Sequence, residues 1–167
     1  MSFLDNSEHT LAPSSSPSLL RGKEHWLFLF CLLVLLVLIF RDFLFLQRVY
    51  LFKDIGSDSV NGFYPNTVHV IDYLKSDGVP GWSFNRGMGQ NIFPFSLSDP
   101  SLPIFYLFGR ENFAYAVVYV EVLKIMLAGT LFFLYLRLLA LAPLTTVIGG
   151  LLYAFSGYMI LTSAGWY

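Results

Sequence analysis

Hydrophobic and polar positions run along this chain in long blocks. Residues 1–24 form a polar segment with clustered Ser and Pro, closing on Arg21 and Lys23. Residues 26–40 then carry no charge. A helix of that length rises about 22 Å, short of a bilayer core of about 30 Å. Continuing through Arg41 and Asp42 to Leu46 gives about 31 Å, with the two charges at the far interface, where Arg41 can snorkel. Residues 25–46 are therefore predicted as a first membrane span. Basic residues ahead of an apolar run also imitate a signal peptide. No small-residue cleavage site follows, because Phe43, Leu44, Phe45 and Leu46 are bulky, so the reading is an uncleaved span.

Residues 47–112 change character. They hold Pro65, Pro80, Pro94, Pro100 and Pro103, several glycines and most of the aspartates. Within them, Val68, Ile71 and Leu74 fall at the spacing of a short amphipathic helix over 66–75, closed by Ser76-Asp77-Gly78. Such a helix lies either on a membrane surface or on the loop's own core. Residues 113–136 are predicted as a second span, 137–143 as a short turn and 144–164 as a third span. After Arg137 no charge occurs to the end of the chain. The predicted fold is all-α and membrane-integral, with about three spans and a large first loop containing short amphipathic helices.

Composition agrees with that pattern. The 167 residues are 56% hydrophobic, 18% aromatic and only 13% charged, beyond what a soluble domain of this size can hide in its interior. Such aromatic content excludes disorder, the lone Cys31 excludes a disulfide-stapled module, and a net charge of −1 speaks against nucleic acid as a partner. Arg21 and Lys23 before the first span and Arg137 after the second put those ends in the cytoplasm and the long loop outside. The predicted location is a bacterial cytoplasmic (inner) membrane, multi-pass, with the N-terminus cytoplasmic.

The external loop holds the candidate chemistry. Asp54 and Asp58 stand close after the first span, followed by Asn61, Tyr64 and Pro65. Carboxylates near a membrane surface can serve as a general base or hold a divalent cation; they can equally cap a Gly-containing turn. A second group runs from Gly81 through Trp82, Arg86 and Gly89 to Gln90 and Asn91. Its Arg86 can fork onto a phosphate or carboxylate. No Lys-Ser/Thr follows its glycines, so no nucleotide site is predicted. Trp82, Phe84, Phe93 and Phe95 suit an interfacial belt or a sugar platform. His9, His25, His69 and Cys31 are too scattered for a metal cluster. Glu121 and Lys124 share one face of the second span, either as a self-neutralising pair or as the lining of a polar site.

Three blocks in order, KDIGSDSVNGFYP, PGWSFNRGMGQNIFP and LKIMLAGTLFFLYLRLLALAPLTTVIGGLLYAFSGYMIL, resemble the N-terminal region of the bacterial YfhO-type membrane protein family. The resemblance covers residues 26–167. It implies a multi-spanning protein of the C-type glycosyltransferase superfamily, of which this chain would be the opening section. Such proteins take a polyprenyl-phosphate sugar as donor, decorate a cell-surface glycan or a teichoic-acid-like acceptor, and use an acidic residue in the first external loop. That residue falls best on Asp58, then on Asp54, as general base or with a cation. Arg86 would approach the donor phosphate, with Asn61, Tyr64, Trp82 and Gln90 around the substrate. Asn61-Gly62 stands where the family pattern has an amide-rich stretch. The alternative is a non-catalytic membrane component: a lipid or polymer transporter, or an accessory subunit of an envelope complex.

Overall fold

The computed structural model describes residues 22–51, 59–79, 81–97 and 99–162, and these are mostly helical. Helix α1 spans Glu24–Leu44. The chain resumes in a π-helical turn, Ser59–Phe63, that runs into α2, Tyr64–Ser76. A hairpin of two short antiparallel strands follows, β1 (Trp82–Ser83) and β2 (Gln90–Asn91), with Trp82 opposite Asn91 and Ser83 opposite Gln90. Then come the single turn α3 (Phe93–Ser96), the long helix α4 (Leu102–Leu138), α5 (Pro143–Ala154) and a last π-helical turn, Tyr158–Thr162.

Several boundaries have a local cause. Helix α1 contains neither Gly nor Pro, opens on Glu24 and carries Arg41 in its last turn, both complementary to the helix dipole. It stops where Leu46 takes a left-handed φ of 59° and the N–H groups of Gln47 and Arg48 both bond the Asp42 carbonyl. Pro65, Pro103 and Pro143 each stand in a first turn, where a missing N–H costs no hydrogen bond. Gly78, at φ 82°, follows the end of α2 as the Ser-Asp-Gly signal predicts.

Helices α1, α4 and α5 pack together around one core. In α1 every fourth residue from Phe28 through Leu32 and Leu36 to Phe40 is buried. Phe28 stacks on Phe133 of α4 with centroids 4.5 Å apart and the rings 8° from parallel. Helix α5 lies close against both because its facing positions are small. A Cβ on Gly150 would stand 2.7 Å from Phe28 and 3.0 Å from Phe133, and one on Gly129 would stand 2.8 Å from Ala154. Two contacts fix α1 antiparallel to α4. Arg137 pairs with Glu24 at 3.0 Å at one end, and the Tyr119 hydroxyl donates to the Leu44 carbonyl at 2.9 Å near the other.

Among the described residues two helices, α1 and α4, are long and apolar enough to cross a membrane. Their outward faces are apolar too: Phe30 and Leu38 of α1 and Leu131 of α4 are each more than 60% exposed. A helix facing water normally carries polar residues there.

The second helix starts earlier than predicted. The end of the loop, from Leu102, is already helical, and it joins the long segment across a kink at Gly109 (φ 74°, ψ 173°). That conformation is forbidding for a side chain, so Gly109 sets the break. The third segment is shorter than predicted. The 12-residue helix α5 ends at Ala154, and the chain turns at residues 155–156 before the π-helical turn Tyr158–Thr162, so the predicted span is not one continuous helix. Helix α2 exceeds its predicted 66–75 at both ends and lies on the internal core, with Val70 and Ile71 buried. The hairpin has no counterpart in the hydrophobic pattern, since two residues per strand are too few to show a period.

Candidate functional site

A buried charge cluster joins the loop to α4. Lys124 Nζ lies 3.2 Å from Asp99 Oδ2 and 3.3 Å from Glu121 Oε1. Glu121 is fully buried, while the Lys124 and Asp99 side chains are about four-fifths buried. The helix spacing of three brings Glu121 and Lys124 to one face. Asp99 arrives from outside that helix, across 25 residues of chain. It is held by a local turn: the Ser101 N–H donates to its carboxylate at 2.6 Å, the Ser101 hydroxyl donates to the same oxygen, and the Leu102 N–H donates to the Asp99 carbonyl. Burial pushes the Asp99 carboxyl up, but the Ser101 hydrogen bonds and the Lys124 charge outweigh it and hold it below the usual carboxylate range.

Tyr50 adjoins the cluster. It is buried against the end of α1, edge-on to Phe40 and Phe43. Burial pushes its phenol above the ordinary range, and the negative charge of Glu121 adds to that shift, so the hydroxyl stays protonated. After residues 52–58 in the chain, Ser59 is also buried, and its hydroxyl has no hydrogen-bond partner among the described residues.

The depth of the cluster follows from the helix contacts. Tyr119 touches the last carbonyl of α1, and Lys124 lies five residues further along α4, about 7.5 Å of helix rise. The charges therefore sit just inside the loop-side end of the bundle, at the opposite end from Arg137 and Glu24. Glu121 and Lys124 form the ion pair that their spacing allows, and a loop carboxylate, Asp99, joins it.

The predicted residues are divided among separate settings. Asp54 and Asp58 lie outside the described residues. Asn61 is exposed on the π-helical turn, and Tyr64 stacks on Phe113 with centroids 5.4 Å apart, beside Phe63 and Phe105. Trp82, Arg86 and Gln90 belong to the hairpin. Arg86 lies over the Phe95 ring at 4.1 Å, while Trp82 and Gln90 are exposed. The hairpin is tied to α2 by His69 Nε2, 2.8 Å from the Ser83 hydroxyl, and by the Tyr73 hydroxyl, which donates to the Trp82 carbonyl at 3.4 Å.

Among the described residues no three of His, Cys, Asp or Glu gather to hold a metal ion. The Glu121 and Asp99 carboxylates already share the Lys124 ammonium, so these residues do not fit a divalent cation. Elsewhere, a polar pocket of about 360 Å³ opens at the Gly109 kink, where Arg110 pairs with Asp72 at 2.8 Å and Lys75 approaches.

Asp99 and Tyr50 were not legible as site residues. Asp99 shows only the Asp-Pro turn signal ahead of an apolar run, which announces a helix start and says nothing of Lys124. No protein-family model, curated protein or solved structure matches this chain.

Proposed function

We propose that the chain belongs to a membrane glycosyltransferase-like protein of the YfhO type, which transfers a sugar from a polyprenyl-phosphate donor to a cell-envelope polymer on the external face. The observation that carries this reading is the Asp99–Lys124–Glu121 cluster. Buried charge is costly, and here it lies at the junction of the loop with the apolar bundle, near Tyr50, which precedes the Asp54/Asp58 segment in the chain. A lipid-linked donor needs such a junction, with its tail among apolar helices and its phosphate and sugar at a polar mouth. The exposed apolar faces of α1 and α4 support a bilayer setting, in which α5 together with the π-helical turn after its break would make up a third crossing. The Arg137–Glu24 pair keeps Lys23 and Arg137 at one end, which the positive-inside rule assigns to the cytoplasm.

In this reading the acceptor hydroxyl oxygen bonds to the anomeric carbon as the bond from that carbon to the phosphate oxygen breaks. The phosphate leaves with its polyprenyl tail, and Asp58 takes the hydroxyl proton, with Asp54 as its neighbour. Arg86 is the group offered to the donor phosphate. The test is transfer from a panel of polyprenyl-phosphate sugars in membranes carrying the full-length protein. Activity that Asp58→Asn removes supports the assignment; activity that survives Asp58→Asn moves the base elsewhere, and no transfer from any donor defeats the enzyme reading.

One observation favours a second reading. Lys124 is bracketed by two carboxylates, which suits a structural clasp in a non-catalytic transporter or accessory subunit. A Lys124→Gln protein that loses stability while any transfer activity per folded molecule stays unchanged supports the clasp.

A further inference from the structure

We infer that the β1–β2 hairpin is a lipid-engaging device, which inserts its tip among the headgroups of an anionic bilayer beside the bundle. The inference rests on the membrane reading above. The hairpin presents Trp82, Phe84 and Met88 outward, 57%, 79% and 100% exposed, and Val79, shortly before it in the chain, is 76% exposed. Large apolar side chains held out on one short ribbon are unfavourable in water and mark an interaction surface. From residue 78 to residue 98 the sequence has a single charge, Arg86, and it is positive.

The hairpin is built to hold these groups out. Gly89 has φ +105°, and a Cβ there would stand 2.7 Å from Trp82 Nε1 and 3.2 Å from Phe84, so only glycine lets the two rings fold over that position. Trp82 and Phe84 meet at 67°, centroids 6.4 Å apart. Arg86 spends one face of its guanidinium on the Phe95 ring, which leaves its N–H donors directed around the edge of the plane. An amphipathic indole and a guanidinium on one hairpin suit the headgroup layer, where the ring meets acyl chain and glycerol and the cation meets phosphate.

Chain connectivity brings this surface to the right depth. Phe95 lies in α3, whose Ser96 carbonyl accepts from the Tyr106 hydroxyl at 2.6 Å. Three residues after Ser96, Asp99 reaches Lys124, inside the loop-side end of the bundle. The hairpin therefore hangs from the segment that enters the apolar zone. Its positive charge favours anionic phospholipid over a zwitterionic surface.

The test uses the full chain with Trp26→Phe and Trp166→Phe, so that Trp82 is the sole indole. The protein is reconstituted in vesicles of phosphatidylcholine, with and without phosphatidylglycerol. Trp82 emission is read against lipid brominated high on the acyl chain and against aqueous iodide. The expected result is blue-shifted emission, quenched by brominated lipid and shielded from iodide. Arg86→Gln is expected to lower the ratio of lipid-bound to water-exposed hairpin about fivefold in phosphatidylglycerol vesicles, with little change in phosphatidylcholine alone. Iodide quenching without lipid quenching overturns the inference, as does protection from both quenchers, which would mean a protein covering. An Arg86→Gln change independent of phosphatidylglycerol overturns the anionic preference. Carbonate extraction of the same vesicles reads the spans separately. Extraction of the chain defeats the membrane reading itself, whereas retention with a water-exposed Trp82 defeats the hairpin alone.

Discussion

The helical bundle and the loop that caps it are held by opposite means. In the bundle, α1, α4 and α5 meet through apolar side chains and absent ones: Phe28 fits over Gly150, and Ala154 over Gly129. In the loop, polar bonds do most of the fastening. Asp99 reaches Lys124, Asp72 reaches Arg110, and His69 meets Ser83. Close packing is intolerant of added volume, whereas polar fastenings differ among themselves by how much water reaches them. Lys124 and Glu121 are largely dry; Arg110 and Asp72 are 65% and 41% exposed.

The largest effect is expected where that contrast is sharpest. Lys124→Ala takes the ammonium away from the buried Glu121 and removes the grip on Asp99, at a cost of about 3–5 kcal/mol. Thermal unfolding in detergent should show it, with Glu121→Gln in the same chain restoring part of the loss. A wild-type unfolding temperature in Lys124→Ala would mean that the cluster is hydrated. Next is the glycine contact. Gly150→Ala forces Phe28 or Phe133 to shift and is expected to cost about 1–3 kcal/mol by overpacking, read by the same melt. An unchanged or raised stability would show that α5 can slide away at no cost.

The pH dependence of the loop fastening is smaller. The Asp99 carboxyl is held below the usual carboxylate range in the folded protein, so its contribution is present above the unfolded pKa of about 4. It is lost as pH falls through the lower, folded value. Stability should therefore stay level near neutral pH and fall in acid, and Asp99→Asn should flatten the acid limb; an equally steep limb in that variant would assign it to other carboxylates. The smallest effect belongs to the exposed pair. Arg110→Gln is expected to cost about 0.2–1 kcal/mol, less still in high salt. A loss as large as that of Lys124→Ala would erase the distinction between dry and wet fastenings.

Legibility in the sequence follows the same division. Helices α1 and α2 and the long helix could be read from apolar runs and from Pro and Gly punctuation, because these are local effects of a few consecutive residues. The shared face of Glu121 and Lys124 was legible for the same reason. Asp99 was not, since its partner lies 25 residues away and only the path of the loop brings them together. The hairpin was hidden because its strands are too short for a pattern, and its shape depends on Gly89 giving room to Trp82.

The sequence by itself determined where long apolar helices form, where prolines start them and where charge is scarce. Those properties depend on neighbours within a turn or two of the chain. Only the tertiary structure decided that Lys124 bridges two carboxylates, that Gly109 bends the long helix, and that α5 ends at Ala154 short of a full crossing. Each of these requires either a partner distant in sequence or a backbone angle set by the packed whole. No local propensity encodes either one.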